Sequence, residues 1–219
     1  MKIMIDLRRP VFDPLPVCVP ACAPRASSRF GRWFGRTVLR LGGWRMTGGF
    51  PDCRKVVIIA APHSSGWDVV WGLAAKLGLG LGIEFMGKAE LFWGPLGWFL
   101  RKLGGIPTDR QNPQGLARTM AARFAERDTL WLALAPEGTR RHAPRWKTGF
   151  WRIARAAGVP LQCVAFDYPN KAIVVGPLLE LSDDMAADLD RIARIYAPYR
   201  GKHRPINPVQ QPVPSSSQS

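Results

Sequence analysis

Two short apolar runs, each followed by polar residues, constrain most strongly how this chain of 219 residues can fold. The first run spans residues 55–61 and is rich in β-branched side chains, and the second spans residues 129–135. Continuous apolar runs of this length are typical of strands that are buried on both faces of a sheet. Helical patterns separate the runs, so we predict an α/β fold in a single domain, with a mostly parallel central sheet flanked by helices.

The residues after the first run have the chemistry of an acid–base pair. His63 follows the strand directly, and Asp68 comes five residues later. A neutral imidazole accepts a proton near neutral pH, and a carboxylate on its other ring nitrogen fixes its tautomer. We therefore interpret His63 as a base and Asp68 as the group that orients it. The simpler alternative is a surface loop in which Asp68 only caps the next helix.

The second run ends in "PEGTR", Pro136 to Arg140. Sites in open parallel sheets form at the carboxyl ends of the strands, where Glu137 would lie. Gly138 permits close approach of the backbone to a ligand, and Thr139 with nearby amides offers donors to a phosphate or an oxyanion. Arg140 supplies a planar fork that suits phosphate. An ordinary surface pair between Glu137 and Arg140 is the alternative.

Basic residues follow two further predicted strands. Lys88 comes just past a short strand, and Arg110 ends the segment "GGIPTDR". Together with Arg140 they predict a cationic basin at the strand ends. The whole chain carries 31 Lys and Arg against 16 Asp and Glu, a formal charge of +15. This charge indicates an anionic partner: a nucleic acid, an anionic membrane surface or a phosphorylated substrate.

The chain divides by composition into three parts. Residues 1–25 are predicted to form an irregular, Pro-rich leader, residues 26–204 the folded domain, and residues 205–219 a disordered tail rich in Pro and Ser. The four cysteines show no disulfide or zinc spacing, and no metal-binding cluster is visible. No stretch is apolar for about 18 residues, so we expect any membrane contact to be interfacial.

Within residues 26–48 we predict a basic amphipathic helix that lies in a membrane surface. At 100° per residue the arginines form one stripe, beside an aromatic and aliphatic face. The stripe consists of Arg29, Arg32, Arg36 and Arg40, and the face of Phe30, Trp33, Phe34, Val38, Leu41 and Trp44. Gly31, Gly35, Gly42 and Gly43 weaken such a helix in water. Alternatively, the aromatic face packs on the domain. The apolar segment 91–100 is a second candidate for membrane contact, or a part of the core.

The remaining elements follow from periodicity and capping residues. We predict a first helix from Ser27 or Ser28 to Leu41 and a last helix capped by Ser182. The other predicted helices span residues 68–79, 91–103, 112 or 113 onward, and 148–157. The other predicted strands span residues 82–86, 105–107, 161–166 and 172–175.

These motifs together resemble the four sequence blocks of the glycerolipid acyltransferases. His63-x4-Asp68, "GGIPTDR", "EGTR" and "GVPLQCVAF" occur here in the order and spacing of that family, over about residues 29–196. The chain is thus similar to a bacterial 1-acylglycerol-3-phosphate acyltransferase or a close lysophospholipid acyltransferase. In the fourth block, Leu-Gln-Cys stands where the family commonly has a second proline.

The resemblance implies an activity. A fatty acyl group would pass from a thioester, acyl-ACP or acyl-CoA, to the free hydroxyl of a lysophospholipid, with no cofactor. His63 and Asp68 would be catalytic; Lys88, Arg110 and Arg140 would hold the acceptor phosphate. Glu137 would orient the glycerol or the arginines, and Gly138 and Thr139 would line the same site.

The resemblance also implies a location and leaves rivals open. It indicates a peripheral, monotopic protein at the cytoplasmic face of the cell membrane, in contact with anionic lipid. The leading acceptor is 1-acylglycerol-3-phosphate, and another acceptor such as a lyso-ornithine lipid is the alternative. A basic nucleic-acid-binding protein is a remote alternative. We expect no nucleic-acid partner, because the aromatic residues cluster in apolar runs rather than between lysines.

Overall fold

The structure of the chain, a computed structural model, describes residues 13–26, 28–108, 113–137 and 146–203. The predicted tail and the first twelve residues of the predicted leader lie outside the described residues. Among the described residues, seven strands form one sheet. They are β1 (Arg45–Gly48), β2 (Lys55–Ala61), β3 (Glu84–Lys88), β4 (Gly105–Thr108), β5 (Leu130–Leu134), β6 (Leu161–Asp167) and β7 (Ala172–Leu179).

The sheet is mostly parallel. Its strand order is β1-β7-β6-β2-β5-β3-β4, and the pairing of β6 with β7 is antiparallel while the other neighbours pair in parallel. The two apolar runs are β2 and β5, which lie side by side in the middle of the sheet. The predicted fold class is therefore confirmed.

Helices cover both faces of the sheet, as the continuous apolar strands require. They are α1 (Arg29–Gly42), α2 (Trp67–Leu79), α3 (Gly94–Lys102), α4 (Pro113–Ala125), α5 (Gly149–Ala157) and α6 (Met185–Tyr196). Helices α1 and α2 share one apolar cluster with the sheet, and α4, α5 and α6 share the other. Strand β2 contributes side chains to both clusters, because Val57 and Ile59 point to one face of the sheet and Val56 and Ile58 to the other.

Helices α1 and α2 pack antiparallel through glycine. A Cβ atom at Gly35 would lie 2.3 Å from the carbonyl oxygen of Ala74, closer than atoms can approach. Gly31 faces Leu77 and Gly42 faces Trp71, so the two helices run in opposite directions. Gly35 therefore permits the close contact of two backbones, a reason for helical glycine that differs from the weakening predicted from sequence.

The first helix starts where the sequence predicts, and its outer face is exposed. Ser28 caps it, accepting a hydrogen bond from the Gly31 N–H at 2.9 Å. Phe30, Trp33, Phe34 and Leu41 are exposed, and Val38 is half-buried.

One residue of this amphipathic pattern lies outside the helix, and one arginine of the stripe is engaged in an ion pair. Trp44 is buried and packs against Trp71 with ring centroids 5.2 Å apart, because the chain turns into β1 after Gly43. Arg36 forms an ion pair with Asp13 at 2.8 Å. The aromatic face of α1 thus excludes Trp44.

Several element boundaries differ from the sequence prediction. Asp184 caps α6, since its carboxylate accepts hydrogen bonds from the N–H groups of Ala186 and Ala187, whereas the Ser182 hydroxyl bonds to the Asp184 backbone. Strand β1 was not predicted, and β7 extends four residues further than expected. The predicted helix 91–103 consists of a 3₁₀ helix, Ala89–Phe92, followed by α3.

The described part of the predicted leader, residues 13–26, is irregular but packed. Leu15 and Ala23 are buried in the apolar cluster of α1 and α2. The backbone N–H of Met46 donates to the carbonyl oxygen of Pro14 at 2.7 Å. The domain boundary at residue 26 stays a prediction. In the described ranges, no helix combines the length and the apolar character that crossing a membrane requires.

Candidate active site

Three parallel strands bring polar residues to one edge of the sheet, which we call the active-site edge. His63 follows β2, Lys88 is the last residue of β3, and Glu137 follows β5. Strand β5 pairs with both β2 and β3, so the three strand ends are neighbours. This edge is where the sequence predicts a site. Arg110, Gly138, Thr139 and Arg140 of the predicted site lie outside the described residues.

His63 and Asp68 form the predicted pair. The His63 Nδ1 atom lies 3.2 Å from the Asp68 Oδ2 atom, the imidazole is 18% exposed and the carboxylate is fully buried. Asp68 sits in the first turn of α2, where the helix dipole favours a negative charge. The Ser65 N–H also donates to Asp68 Oδ2, at 2.8 Å. With Nδ1 directed at the carboxylate, the Nε2 atom is left to accept a proton.

Ser64 and Ser65 support this loop. Both are buried, and the Ser65 hydroxyl accepts a hydrogen bond from the Trp67 N–H at 3.2 Å in the first turn of α2. The Ser64 hydroxyl lies 3.5 Å from the backbone nitrogen of His203. The contacts of Ser65 are those of a helix-capping residue rather than of a nucleophile.

Tyr168 is a member of the site that the sequence did not predict. Its hydroxyl donates a hydrogen bond to Asp68 Oδ1, the oxygen that His63 does not use. Burial raises the pKa of Tyr168, and the hydrogen bond and charge of Asp68 raise it further, so the hydroxyl keeps its proton. Tyr168 lies in the turn between β6 and β7, 100 residues beyond Asp68 in the chain.

Glu137 holds the backbone of the histidine. Its side chain is buried, and its Oε1 atom accepts a hydrogen bond from the His63 N–H at 2.7 Å. Glu137, at the end of β5, therefore meets the His63 loop directly. This contact fixes the position of the His63 backbone. The predicted role of Glu137 at the substrate stays a prediction. Lys88 lies at the same edge with an exposed side chain.

An apolar cavity of about 200 Å³ starts at the His63–Asp68 pair and runs between α2 and the sheet. Its wall includes Gly72, Leu73 and Leu79 of α2 and faces apolar residues of β2, β5 and β6. From Asp68 to Leu79 the helix advances by about 16 Å, at about 1.5 Å per residue. His63 therefore lies beside the N-terminal end of this length of α2.

Lys76 is a basic residue in the mostly apolar wall of the cavity. It is buried, and its Nζ atom donates to the carbonyl oxygen of Leu103. Burial lowers the pKa of Lys76, and the charge of Glu84 opposes this effect only in part. In the part of the chain that the structure describes, no group of three or more His, Cys, Asp or Glu residues is placed to hold a metal ion.

Comparison with known proteins identifies the family of this chain. A sequence profile of the Acyltransferase family matches residues 49–167, which include His63, Asp68 and Glu137. A 1-acyl-sn-glycerol-3-phosphate acyltransferase of Streptococcus pneumoniae is 32% identical over 125 residues, covering 56% of this chain and 46% of the relative. "Probable 1-acyl-sn-glycerol-3-phosphate acyltransferase 5" of Arabidopsis thaliana is 34% identical over 99 residues, covering 42% of this chain and 26% of that protein. The match thus spans less than half the length of either relative.

The fold also occurs in a solved structure. The crystal structure of the 1-acyl-sn-glycerophosphate (LPA) acyltransferase PlsC from Thermotoga maritima superposes with a TM-score of 0.51 at 17% identity, covering 73% of this chain and 71% of that one. At this identity the likeness concerns the fold alone. The profile match covers more than half of the chain and includes the histidine, the aspartate and the glutamate that meet at the active-site edge. This chain therefore belongs to the Acyltransferase family.

Proposed function

We propose that this chain transfers a fatty acyl group from an acyl thioester, acyl-ACP or acyl-CoA, to the free hydroxyl of a lysophospholipid. The leading acceptor is 1-acyl-sn-glycerol-3-phosphate, which gives phosphatidic acid. One observation carries the proposal: an oriented His63–Asp68 pair lines an otherwise mostly apolar cavity. The names of the two relatives support the choice of reaction and acceptor.

His63 would act as the base that activates the acceptor hydroxyl. Asp68 holds Nδ1–H, so Nε2 takes the hydroxyl proton while the oxygen attacks the thioester carbonyl carbon. The new C–O bond forms, the C–S bond then breaks, and the leaving sulfur takes the proton from Nε2. The products are the acylated lipid and the free thiol, and the histidine returns to its neutral form. A positioned base of this kind typically contributes about 10²–10⁴ in rate.

The cavity is suited to the acyl chain of the donor. Its lining is mostly apolar and includes His63, beside which the thioester carbonyl must lie. An extended hydrocarbon chain advances by about 1.3 Å per carbon, because C–C bonds of about 1.5 Å alternate in direction. About a dozen methylene groups therefore fit along the length of α2 that borders the cavity.

The acceptor phosphate would bind at the active-site edge. Lys88 is exposed there, and Arg110 and Arg140 follow β4 and Glu137 in the sequence. Gly138 and Thr139 would contribute donors to the phosphate or to the oxyanion of the tetrahedral intermediate. An acceptor without phosphate would need none of these cations, which separates 1-acylglycerol-3-phosphate from a lyso-ornithine lipid.

The protein would reach its acceptor from a membrane surface. Twelve of the thirteen large apolar side chains exposed in the described residues belong to three elements: α1, the start of α2, and the segment from Leu91 to Phe99. Arg29 and Arg32 are exposed on α1, and the chain has a net charge of +15. Aromatic groups beside cations are typical of elements that lie in the headgroup plane of an anionic bilayer.

Purified protein, labelled acyl thioesters and a panel of lysolipids test the proposal. We expect the wild type to acylate 1-acylglycerol-3-phosphate, and His63→Ala to lose at least about 100-fold in kcat while unfolding at the wild-type temperature. His203→Ala is the matched control, because it removes an exposed imidazole and keeps the backbone nitrogen near Ser64. Wild-type turnover in the His63→Ala variant, or acylation of lyso-ornithine lipid alone, would overturn the corresponding part of the proposal.

A further inference from the structure

The carboxylate of Asp68 is bound through both of its oxygens. Oδ2 faces His63 and the Ser65 N–H, whereas Oδ1 accepts the hydroxyl hydrogen of Tyr168. We infer that Tyr168 is a positioning residue, which fixes the plane of the Asp68 carboxylate and thereby the strength and direction of its hydrogen bond to His63. This inference rests on the proposed function.

Asp68 needs such an anchor because its own torsion does not fix it. The χ2 angle of an aspartate is broad, so contacts to one oxygen alone leave the carboxylate free to rock. Ser65 and His63 share Oδ2, and a donor on Oδ1 removes the remaining freedom. Asp68 is 1% exposed, which leaves little room for water to replace that donor.

Tyr168 is itself held by contacts that do not involve Asp68. Its N–H donates to the carbonyl oxygen of Arg200 at 3.1 Å, and its own carbonyl oxygen accepts from the Lys171 N–H at 3.2 Å. The edge of its ring meets Trp44, with centroids 4.9 Å apart and planes at 83°. The position of the Tyr168 hydroxyl is therefore fixed independently of Asp68, by the turn, the neighbouring segment and a buried tryptophan.

The Tyr168 hydroxyl also weakens the electrostatic attraction between the Asp68 carboxylate and His63. A donor on Oδ1 stabilises the carboxylate and reduces its attraction for a protonated imidazole. Removal of the hydroxyl leaves Oδ1 unpaired, so Asp68 should hold the protonated form of His63 more strongly. Among the residues that the structure describes, Glu137 is the further ionisable group in contact with this pair, through the His63 N–H. On the C-terminal segment, Lys202 lies over the Trp67 ring and the backbone nitrogen of His203 lies near Ser64.

Tyr168→Phe tests the inference with two readouts that a packing role would leave unchanged. We expect kcat to fall about 3- to 30-fold with KM unchanged, and the acidic limb of the kcat/KM profile to move to higher pH. Tyr199→Phe is the matched control: it makes the same change on a half-buried ring that packs against Tyr196. An unchanged kcat together with an unchanged acidic limb in Tyr168→Phe would overturn the inference.

Two further measurements keep the test decisive. The NMR titration of the His63 ring should shift to higher pH in Tyr168→Phe whether or not the protein turns over any lysolipid. An unshifted titration therefore contradicts the inference, whereas a wild type without turnover contradicts the proposed function. If Tyr168→Phe unfolds, 3-fluorotyrosine placed at position 168 makes the hydroxyl a stronger donor with little change of shape. The titration should then shift to lower pH, and a shift in the opposite direction, or none, overturns the inference.

Discussion

The imidazole of His63 takes its position from three chain segments that meet at one point. Asp68 fixes the ring, Glu137 fixes the backbone N–H, and Tyr168 fixes Asp68. The lone histidine after β2 is thus set by groups from the start of α2, the end of β5 and the β6–β7 turn. Each of these contacts is a hydrogen bond to a buried carboxylate. A small displacement at any of them would therefore shift the His63 ring.

Glu137 offers a test of the backbone contact. In Glu137→Ala the His63 N–H loses its acceptor inside the protein, which typically costs about 1–3 kcal/mol. We expect a lower free energy of unfolding and a kcat about 10- to 100-fold lower, because the base is displaced. Glu137→Gln retains a carbonyl oxygen that accepts the same hydrogen bond, so it should recover most of the stability. Equal losses in the two variants, measured by denaturant unfolding and initial rates, would argue against this role.

At the residue scale, the sequence predicts the site residues that follow the two apolar runs. It does not predict Tyr168, which lies far from these runs in the sequence. His63, Asp68 and Glu137 each stand next to an apolar run, and the parallel sheet brings them together. Tyr168 lies in a turn with no local sign of chemistry, and its partner is 100 residues away. Trp44 seemed part of an amphipathic pattern, but the helix ends at Gly42 and the 3.6-residue period no longer applies beyond it.

At the scale of elements, the crossing of α1 and α2 depends on Gly35. The missing side chain lets the two backbones touch, and a Cβ atom would overlap the Ala74 carbonyl oxygen. In Gly35→Ala we expect the free energy of unfolding to fall by about 1–3 kcal/mol, although alanine favours a helix. Gly149→Ala in α5 is the control, because nothing lies within 4 Å of its added atom. Thermal unfolding should separate the two, and equal melting temperatures would contradict the crossing described here.

A second link between elements joins β3 to α4 through Glu84. Burial alone would raise the pKa of Glu84, but hydrogen bonds and charges from Arg123 and Arg127 outweigh it and lower the pKa. Arg123 Nε lies 2.8 Å from the carboxylate. A carboxyl whose pKa is lowered by folding stabilises the protein at pH values above its unfolded-state pKa, which is about 4.3 for glutamate. This stabilisation is lost as the pH falls through the folded-state pKa.

The pH dependence of unfolding tests this link. Glu84→Gln should cost about 1 kcal/mol at pH 7, a figure kept small because the arginines are partly exposed. The difference from the wild type should shrink as the pH falls below about 4. Glu126→Gln, at an exposed position just after α4, should stay within about 0.5 kcal/mol of the wild type at both pH values. A Glu84→Gln deficit that persists undiminished in acid would contradict the assignment.

Element prediction succeeded where a pattern is long and failed where it is short. Strand β2 has the predicted bounds, and α1, α2 and α5 begin and end within a residue or two of them. Strand β1 has four residues, "RMTG", too few for a period to appear. The cap of α6 was misplaced because Ser182 and Asp184 are both good capping residues, and only the geometry decides between them.

At the scale of the whole molecule, the exposed apolar side chains should direct the protein to membranes. Phe30 and Trp33 on α1 are 71% and 61% exposed. In the double variant with Ser at both positions we expect binding to vesicles of anionic phospholipid to fall at least about tenfold, because each large apolar side chain contributes about 1.5–3 kcal/mol when buried. The melting temperature should not change.

A control variant and an oligonucleotide-binding assay complete this experiment. Leu178→Ser removes an exposed apolar side chain from β7 near the start of β6, away from the active-site edge, and should leave vesicle binding intact. Binding should weaken in high salt, since the basic residues contribute about 1 kcal/mol each at an anionic surface. Tight binding to an oligonucleotide with none to vesicles would instead favour the nucleic-acid class.

The fold class was within reach of the sequence, but the order of the strands was not. Alternating apolar runs and helices predict a parallel sheet, because each crossover helix returns the chain to the same side. The neighbours of each strand depend on contacts between distant residues, such as Lys55 of β2 with Leu130 of β5. The antiparallel return of β7 was left open by the sequence, although the turn "DYPNK" is short enough to require it.

The backbone contact at Gly35 has a consequence for how a bilayer influences turnover. Helix α1 carries the aromatic side chains, and α2 begins at the Asp68 loop, so their close backbone contact ties the position of that loop to the position of α1. Under the proposed function, the tilt of α1 among the headgroups would therefore set the angle at which the His63 ring meets a lipid. A membrane whose tight lateral packing resists the aromatic wedge would slow acyl transfer without touching the catalytic groups.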